Sequence, residues 1–211
     1  AQPLVVEFKA GTMALVHNGN LINAVEIRKK LIDDGFSFTS TSDSEIIIKL
    51  IAIHYKNSAI AAIKQTLSEI KGGFALILIM EGKLYGIRDP YALRPLVIGK
   101  TPKGDYVLAS ETVALELLGA EVVREVEKGE IVEIDENGIN STIYDDSKPK
   151  SLCGFEFVYF SRPDSDLEGK SVYEARVELG RILARGDKDK YDLVAAVPDS
   201  GVPSAIGYAM E

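Results

Sequence analysis

Tryptophan is absent from this 211-residue chain, cysteine occurs once and histidine only twice. A single thiol cannot close an internal disulfide, which points to the reducing cytoplasm. Nor can one cysteine build a zinc or iron–sulfur centre, each of which needs several protein ligands. Basic blocks are missing as well: 24 Lys and Arg stand against 32 Asp and Glu, for a net charge of -8 and a pI near 5. Phosphate-backbone binding relies on clustered cations, so no nucleic-acid partner is expected. The longest apolar runs, such as Phe74 to Met80, fall far short of the roughly 20 residues that span a bilayer. Neither end has the pattern of a signal peptide, and no membrane partner is expected.

What is present is a chain 46% hydrophobic and 27% charged, enough to bury a core and too apolar to stay disordered. Leu4 to Phe8 and Thr12 to Val16 read as a hairpin across Lys9-Ala10-Gly11. A helix follows His17-Asn18-Gly19-Asn20, with Leu21, Ala24, Val25, Leu31 and Ile32 on one side and Gly35 as its stop. Ser42-Asp43-Ser44-Glu45 has the form of a capping box, which makes Ile46 to His54 a helix despite its β-branched run. A third helix runs from about Ser58 to Lys71.

From Phe74 the period changes to strands: Phe74 to Met80, Lys83 to Ile87, Pro95 to Gly99 and Tyr106 to Ala109, then a short helix from Glu111 to Leu118. Glu130 to Ile134 and Ile139 to Tyr144 flank Asn137-Gly138, a strong hairpin signal. Helices followed by runs of antiparallel strands indicate an α+β layered domain. Polar residues around Pro149 place a boundary there, giving domains at 1–148 and 149–211. Beyond it, Phe155 to Phe160 reads as a strand and Ser171 to Arg185 as a helix. Tyr191 to Val197 reads as an almost wholly apolar parallel strand running into Pro198-Asp199-Ser200-Gly201 and another helix.

Three segments could carry chemistry. An Asn side-chain amide beside a Gly backbone amide, as in Asn18-Gly19, suits an oxyanion hole because both donors can aim at one developing charge. The same four residues also suit a strand-to-helix turn with Asn20 as N-cap. His17 reads as a core or supporting histidine. Asp43, at a helix start, could hold a substrate ammonium or simply cap the helix. Asp199, Ser200 and Gly201 follow a buried strand and open a helix, the edge where α/β sheets bind phosphorylated ligands, although an ordinary turn has the same form. Arg88-Asp89-Pro90 with Arg94-Pro95 reads as a rigid turn carrying an ion pair, and Cys153 by itself as a small buried hydrophobe.

Together these stretches resemble the amidophosphoribosyltransferase family. The resemblance rests on Ala1-Gln2-Pro3, His17-Asn18-Gly19-Asn20, Thr41-Ser42-Asp43-Ser44-Glu45, Arg88-Asp89-Pro90, Arg94-Pro95-Leu96 and Ala109-Ser110-Glu111. Its most specific part is the run from Phe155 through Tyr159-Phe160-Ser161-Arg162-Pro163-Asp164-Ser165, followed by Ser171-Val172-Tyr173 and Ala175-Arg176. The resemblance implies an N-terminal-nucleophile glutaminase domain of αββα layers, followed by the start of an α/β type I phosphoribosyltransferase domain. It implies that ammonia from glutamine displaces pyrophosphate from phosphoribosyl pyrophosphate to give 5-phosphoribosylamine, in a homo-oligomer open to purine nucleotide inhibition.

By the same resemblance, Asn18 and Gly19 form the oxyanion hole and Asp43 holds the glutamine α-amino group. Asp199, Ser200 and Gly201 fall in the pyrophosphate loop, with Ser200 at a magnesium-ligand position. Cys153 matches a [4Fe-4S] ligand of the cluster-containing branch, and cluster-free members can carry a cysteine there too. Another class II amidotransferase, of the asparagine or glucosamine-phosphate synthase type, and a non-catalytic binding fragment are the competing readings. The family's nucleophile is an N-terminal cysteine where this chain has Ala1. The Arg-bearing strand before Ala-Gln-Pro and the phosphoribosyl-pyrophosphate loop with its paired aspartates are also absent. The expectation is therefore a segment of a longer enzyme, inactive alone.

Overall fold

A computed structural model describes residues 2–189 and 191–211. Strands β1 (Leu4–Phe8) and β2 (Gly11–Leu21) lead into helices α1 (Ala24–Asp33), α2 (Ser44–His54) and α3 (Ala59–Glu69). Strands β3 (Gly72–Met80), β4 (Lys83–Arg88), β5 (Val97–Lys100) and β6 (Tyr106–Ala109) follow, then the short helix α4 (Thr112–Glu116). Strands β7 (Glu121–Glu125), β8 (Glu130–Asp135) and β9 (Gly138–Ile143) come next. The remainder holds a π-helical turn (Glu156–Phe160), the short strands β10 (Asp166–Leu167) and β11 (Lys170–Ser171), and helices α5 (Val172–Gly186) and α6 (Val202–Met210). The chain packs as two units: residues up to Leu96 with Val126–Ser151, and Val97–Glu125 with Leu152–Glu211.

In the first unit six strands form one antiparallel sheet in the order β1-β2-β3-β4-β8-β9. Alternation along β2 buries Met13, Leu15 and His17 on one face. Helix α2 meets the same core with Ile46, Ile47, Ile48, Leu50 and Ile51. Each such side chain contributes on the order of 1.5–3 kcal/mol when fully buried, enough to override the strand propensity of the run. The capping box is present in altered form. Glu45 reaches back past Ser42 to accept from the amides of Thr39 (2.9 Å) and Ser40 (2.8 Å) and from the Ser40 hydroxyl (2.7 Å). Helix α3 starts as its sequence suggests, with the Ser58 side chain accepting from Ala61 N–H. The β8–β9 hairpin turns through Glu136-Asn137, one residue earlier than Asn137-Gly138, with Gly138 already paired with Asp135.

In the second unit β5 lies between β6 and β7, and Val97, Leu115 and Ala120 pack beneath. Strand β7 has no alternating burial and carries no sequence signal of its own. Phe155 to Phe160 does not form the expected strand. Residues 156–160 coil into the π-turn, closed by Ser161 N–H donating to Glu156 O at 3.1 Å. The buried Arg176 holds that turn, donating from Nε to Phe157 O (2.6 Å) and from Nη2 to Ser161 O (2.7 Å). Tyr191 to Val197 is likewise not a strand. An apolar strand exists only as part of a ladder, and no strand runs beside it among the described residues. The expected α/β unit thus appears as loop and helix. Helices α5 and α6 pack through Gly180 and Gly207, where a Cβ would sit 1.9 Å from Ser204 O and Val177 O.

Candidate functional site

His17-Asn18-Gly19-Asn20 lies inside β2, not in a turn after it. Asn20 therefore caps nothing, and Asn23 precedes α1, its side chain tied to Glu69 O and Lys71 N. Asn18 pairs with Ala75 and Gly19 with Phe74 across the β2–β3 ladder. Gly19 has φ +149°, and a Cβ there would stand 2.2 Å from Gly73 O, so only glycine lets the two backbones come this close. Alternation puts Asn18 on the opposite face from His17.

Asp43 joins this strand segment from the start of α2. It makes no side-chain cap. Its Oδ2 accepts from Leu21 N–H at 2.9 Å, and its Oδ1 lies 3.5 Å from His17 Nδ1. His17 Nδ1 is also 3.1 Å from Ser44 Oγ. Burial pushes the His17 pKa below its usual value; Asp43 raises it and Arg94 lowers it further. The Gln2 side chain clamps the His17 backbone, donating to its O at 2.9 Å and accepting from its N–H at 2.6 Å. The structure thus brings Asp43 onto the strand that carries Asn18 and Gly19.

Two buried groups hold the framework. Asp89 Oδ2 accepts from Phe74 N–H (3.2 Å) and Leu93 N–H (2.9 Å), and its Oδ1 from Tyr91 N–H (2.9 Å). That fixes the start of β3 opposite Gly19. Arg88 donates to the carbonyls of Arg94 (2.8 Å) and Val126 (2.7 Å). The hydrogen bonds described for the two charged side chains of this turn run to the main chain. Arg28 ties down the loop before Asp43, donating to Ser40 O and Ser42 O at 2.8 Å each. Burial pushes the Glu45 pKa up, but hydrogen bonds from Thr39 and Ser40, with Lys49 nearby, outweigh it and hold the carboxyl down at about 2.

Pro198-Asp199-Ser200-Gly201 leads into α6 in the other unit, with Asp199 exposed and Ser200 half-buried. Cys153 is a half-buried free thiol. Among the described residues no three His, Cys, Asp or Glu side chains converge as a metal site. One thiol does not fit a [4Fe-4S] cluster, which needs several, and no step is derived through one. A cleft of about 760 Å³ in the first unit is lined by Lys71, Gly72, Gly73, Phe74, Tyr91 and Tyr144, among others, but by neither Asn18 nor Asp43. No described helix is long and apolar enough to cross a membrane.

A carboxylate can bind an α-ammonium group and a pair of amide donors can polarise a carbonyl; the contacts of Asp43 are with Leu21 and His17 of the same strand. No local sequence signal exposes the Gln2 clamp or the Leu21 donor, because both act through the main chain.

Comparison with known proteins gives this geometry a context. Residues 1–117 match a family described as a glutamine amidotransferase domain. The amidophosphoribosyltransferase of Staphylococcus aureus is 42% identical over 210 residues, covering 100% of this chain and 42% of the relative. That of Archaeoglobus fulgidus is 39% identical, covering 100% of the chain and 46% of the relative. The solved glutamine phosphoribosylpyrophosphate amidotransferase of B. subtilis, complexed with ADP and GMP, superposes with a TM-score of 0.93 at 40% identity. It covers 99% of this chain and 46% of that one. The chain spans less than half the length of these relatives.

Proposed function

Because the chain belongs to the glutamine amidotransferase domain family, we propose that it is the glutamine-handling segment of an amidophosphoribosyltransferase. The whole enzyme would convert glutamine, water and phosphoribosyl pyrophosphate into glutamate, 5-phosphoribosylamine and pyrophosphate. The observation that carries this reading is the Asp43 carboxylate bonded to Leu21 N–H on the strand that bears Asn18-Gly19. Similarity over the whole of this chain to named amidophosphoribosyltransferases supports it over another class II amidotransferase.

In this reading Asp43 receives the glutamine α-ammonium, fixing the substrate by a charge-assisted bond. The Asn18 amide and Gly19 N–H donate to the oxyanion that forms as a thiolate attacks the side-chain amide. The nucleophile lies outside this segment, whose only thiol is Cys153, so the 211-residue polypeptide alone should release no glutamate. Domains at 1–148 and 149–211 belong to the same proposal, the second opening a phosphoribosyltransferase. Asp199, Ser200 and Gly201 would meet the pyrophosphate there. The Ser200 hydroxyl would be one oxygen ligand of a magnesium ion that arrives with the substrate's own oxygens. Purine nucleotides as inhibitors and a homo-oligomeric cytoplasmic enzyme complete the reading.

The test is an assay of the full-length protein with glutamine and phosphoribosyl pyrophosphate. Glutamate and pyrophosphate released in equal amounts would support the proposal. Glutamate without pyrophosphate would favour another amidotransferase.

A further inference from the structure

We infer that His17 is a positioning residue of the glutamine site: its Nδ1–H, bonded to Ser44 Oγ beside Asp43, sets the direction in which the Asp43 carboxylate meets the substrate ammonium. The inference rests on the glutamine reading of Asp43.

His17 is not a loosely placed core residue. Its side chain is 1% exposed, and Gln2 holds its backbone from both sides. The ring is turned so that Nδ1 faces the first turn of α2, 3.1 Å from Ser44 Oγ and 3.5 Å from Asp43 Oδ1. The other nitrogen, Nε2, is buried and has no hydrogen-bond partner among the described residues.

Those two facts choose the proton's place. A carboxylate only accepts, and a hydroxyl can accept, so a proton on Nδ1 serves both neighbours. A proton on Nε2 would instead be a buried donor with no acceptor, and would turn a lone pair towards the carboxylate. An orphaned buried N–H is rarer than an under-used acceptor. The cation would strand the same Nε2–H, and burial opposes it, outweighing the favourable Asp43 charge, with Arg94 opposing it too.

At 3.5 Å the contact with Asp43 is electrostatic orientation, not a full hydrogen bond. Combined with the Leu21 N–H bond to Oδ2, it leaves the carboxylate one preferred rotation. The remaining lone pairs then point in a fixed direction before glutamine arrives, and less ordering is left for binding.

Two measurements test this. Long-range ¹H–¹⁵N spectra of the 211-residue chain at pH 7 should show His17 neutral with its proton on Nδ1. A proton on Nε2, or a cation, would overturn the inference whatever any variant does. In the full-length protein, His17→Leu should raise the KM for glutamine by about tenfold or more with a smaller change in kcat. His17→Asn, whose amide can place an N–H near Nδ1, should recover most of that loss, as a merely space-filling role would not. A His17→Leu protein with KM within about twofold of the parent, while Asp43→Asn raises it, would sink the role of His17. If Asp43→Asn also leaves KM unchanged, the glutamine reading of Asp43 itself has failed.

Discussion

The two units of this chain differ in how fully their large apolar side chains are covered. In the first, 23 buried apolar residues form one cluster beneath a six-stranded sheet. In the second, Phe155, Tyr159, Leu183, Leu193 and Val197 are all more than 60% exposed, while Glu156, Ser161, Ser165 and Arg176 are buried. Strand and helix patterns decide structure only where a partner surface completes them. Where none is present, local hydrogen bonding decides, as it does when Arg176 gathers the carbonyls of the π-turn.

The sharpest way to break this contrast is to attack the polar anchors of the first unit. Asp89→Ala leaves the amides of Phe74, Tyr91 and Leu93 without their acceptor. It should cost about 3–5 kcal/mol in denaturant unfolding, and a loss below about 1 kcal/mol would show that the turn is not what holds β3. Glu45→Gln comes next. The folded carboxyl titrates at about 2, below its usual 4.5, so its contribution is complete above that usual value and fades as pH falls towards 2. Near neutral pH the variant should be less stable by on the order of 2–3 kcal/mol, and the gap should close in acid. A gap independent of pH would contradict the charge argument.

In the second unit Gly207→Ala puts a Cβ 1.9 Å from Val177 O and should cost about 1–3 kcal/mol by prising α5 from α6. A neutral result in thermal melting would mean that the helices slide freely. The smallest effect belongs to Leu193→Asp. Leu193 is 82% exposed, so stability should stay within about 0.5 kcal/mol. A large loss would reveal a surface that covers this segment.

The same contrast explains what could be read in advance. Helices α1 to α3, the β3–β4 and β8–β9 hairpins and helix α5 follow from local signals, although the expected inward face of α1 is corrected: Val25 and Ile32 are more than half exposed, and Ile27 is buried with Leu31 instead. The strands expected at 155–160 and 191–197 were misplaced because a strand depends on a neighbour that no local pattern names. Helix α2 shows the converse: five Ile residues suit a strand, but the residues before it stop the chain and Glu45 locks the entry.

At the site, Asn18-Gly19 and Asp43 could be picked out by residue type, but their alternatives were equally local. Only the fold shows that Asp43, at the N-cap position, makes no side-chain cap, since its carboxylate bonds Leu21 N–H. It also moves Asn18-Gly19 from a turn into a strand, where Gly19 is required by the close approach of Gly73.

The measurement that bears most directly on the site is chemical-shift mapping of the 211-residue chain during titration with L-glutamine, with D-glutamine as control. Weak binding suffices for it, and no nucleophile is needed. Stereoselective shifts should centre on Asn18, Gly19, Leu21, Asp43 and Ser44. Shifts confined to the cleft around Lys71, Phe74 and Tyr91, or identical responses to both enantiomers, would contradict the glutamine reading of this site.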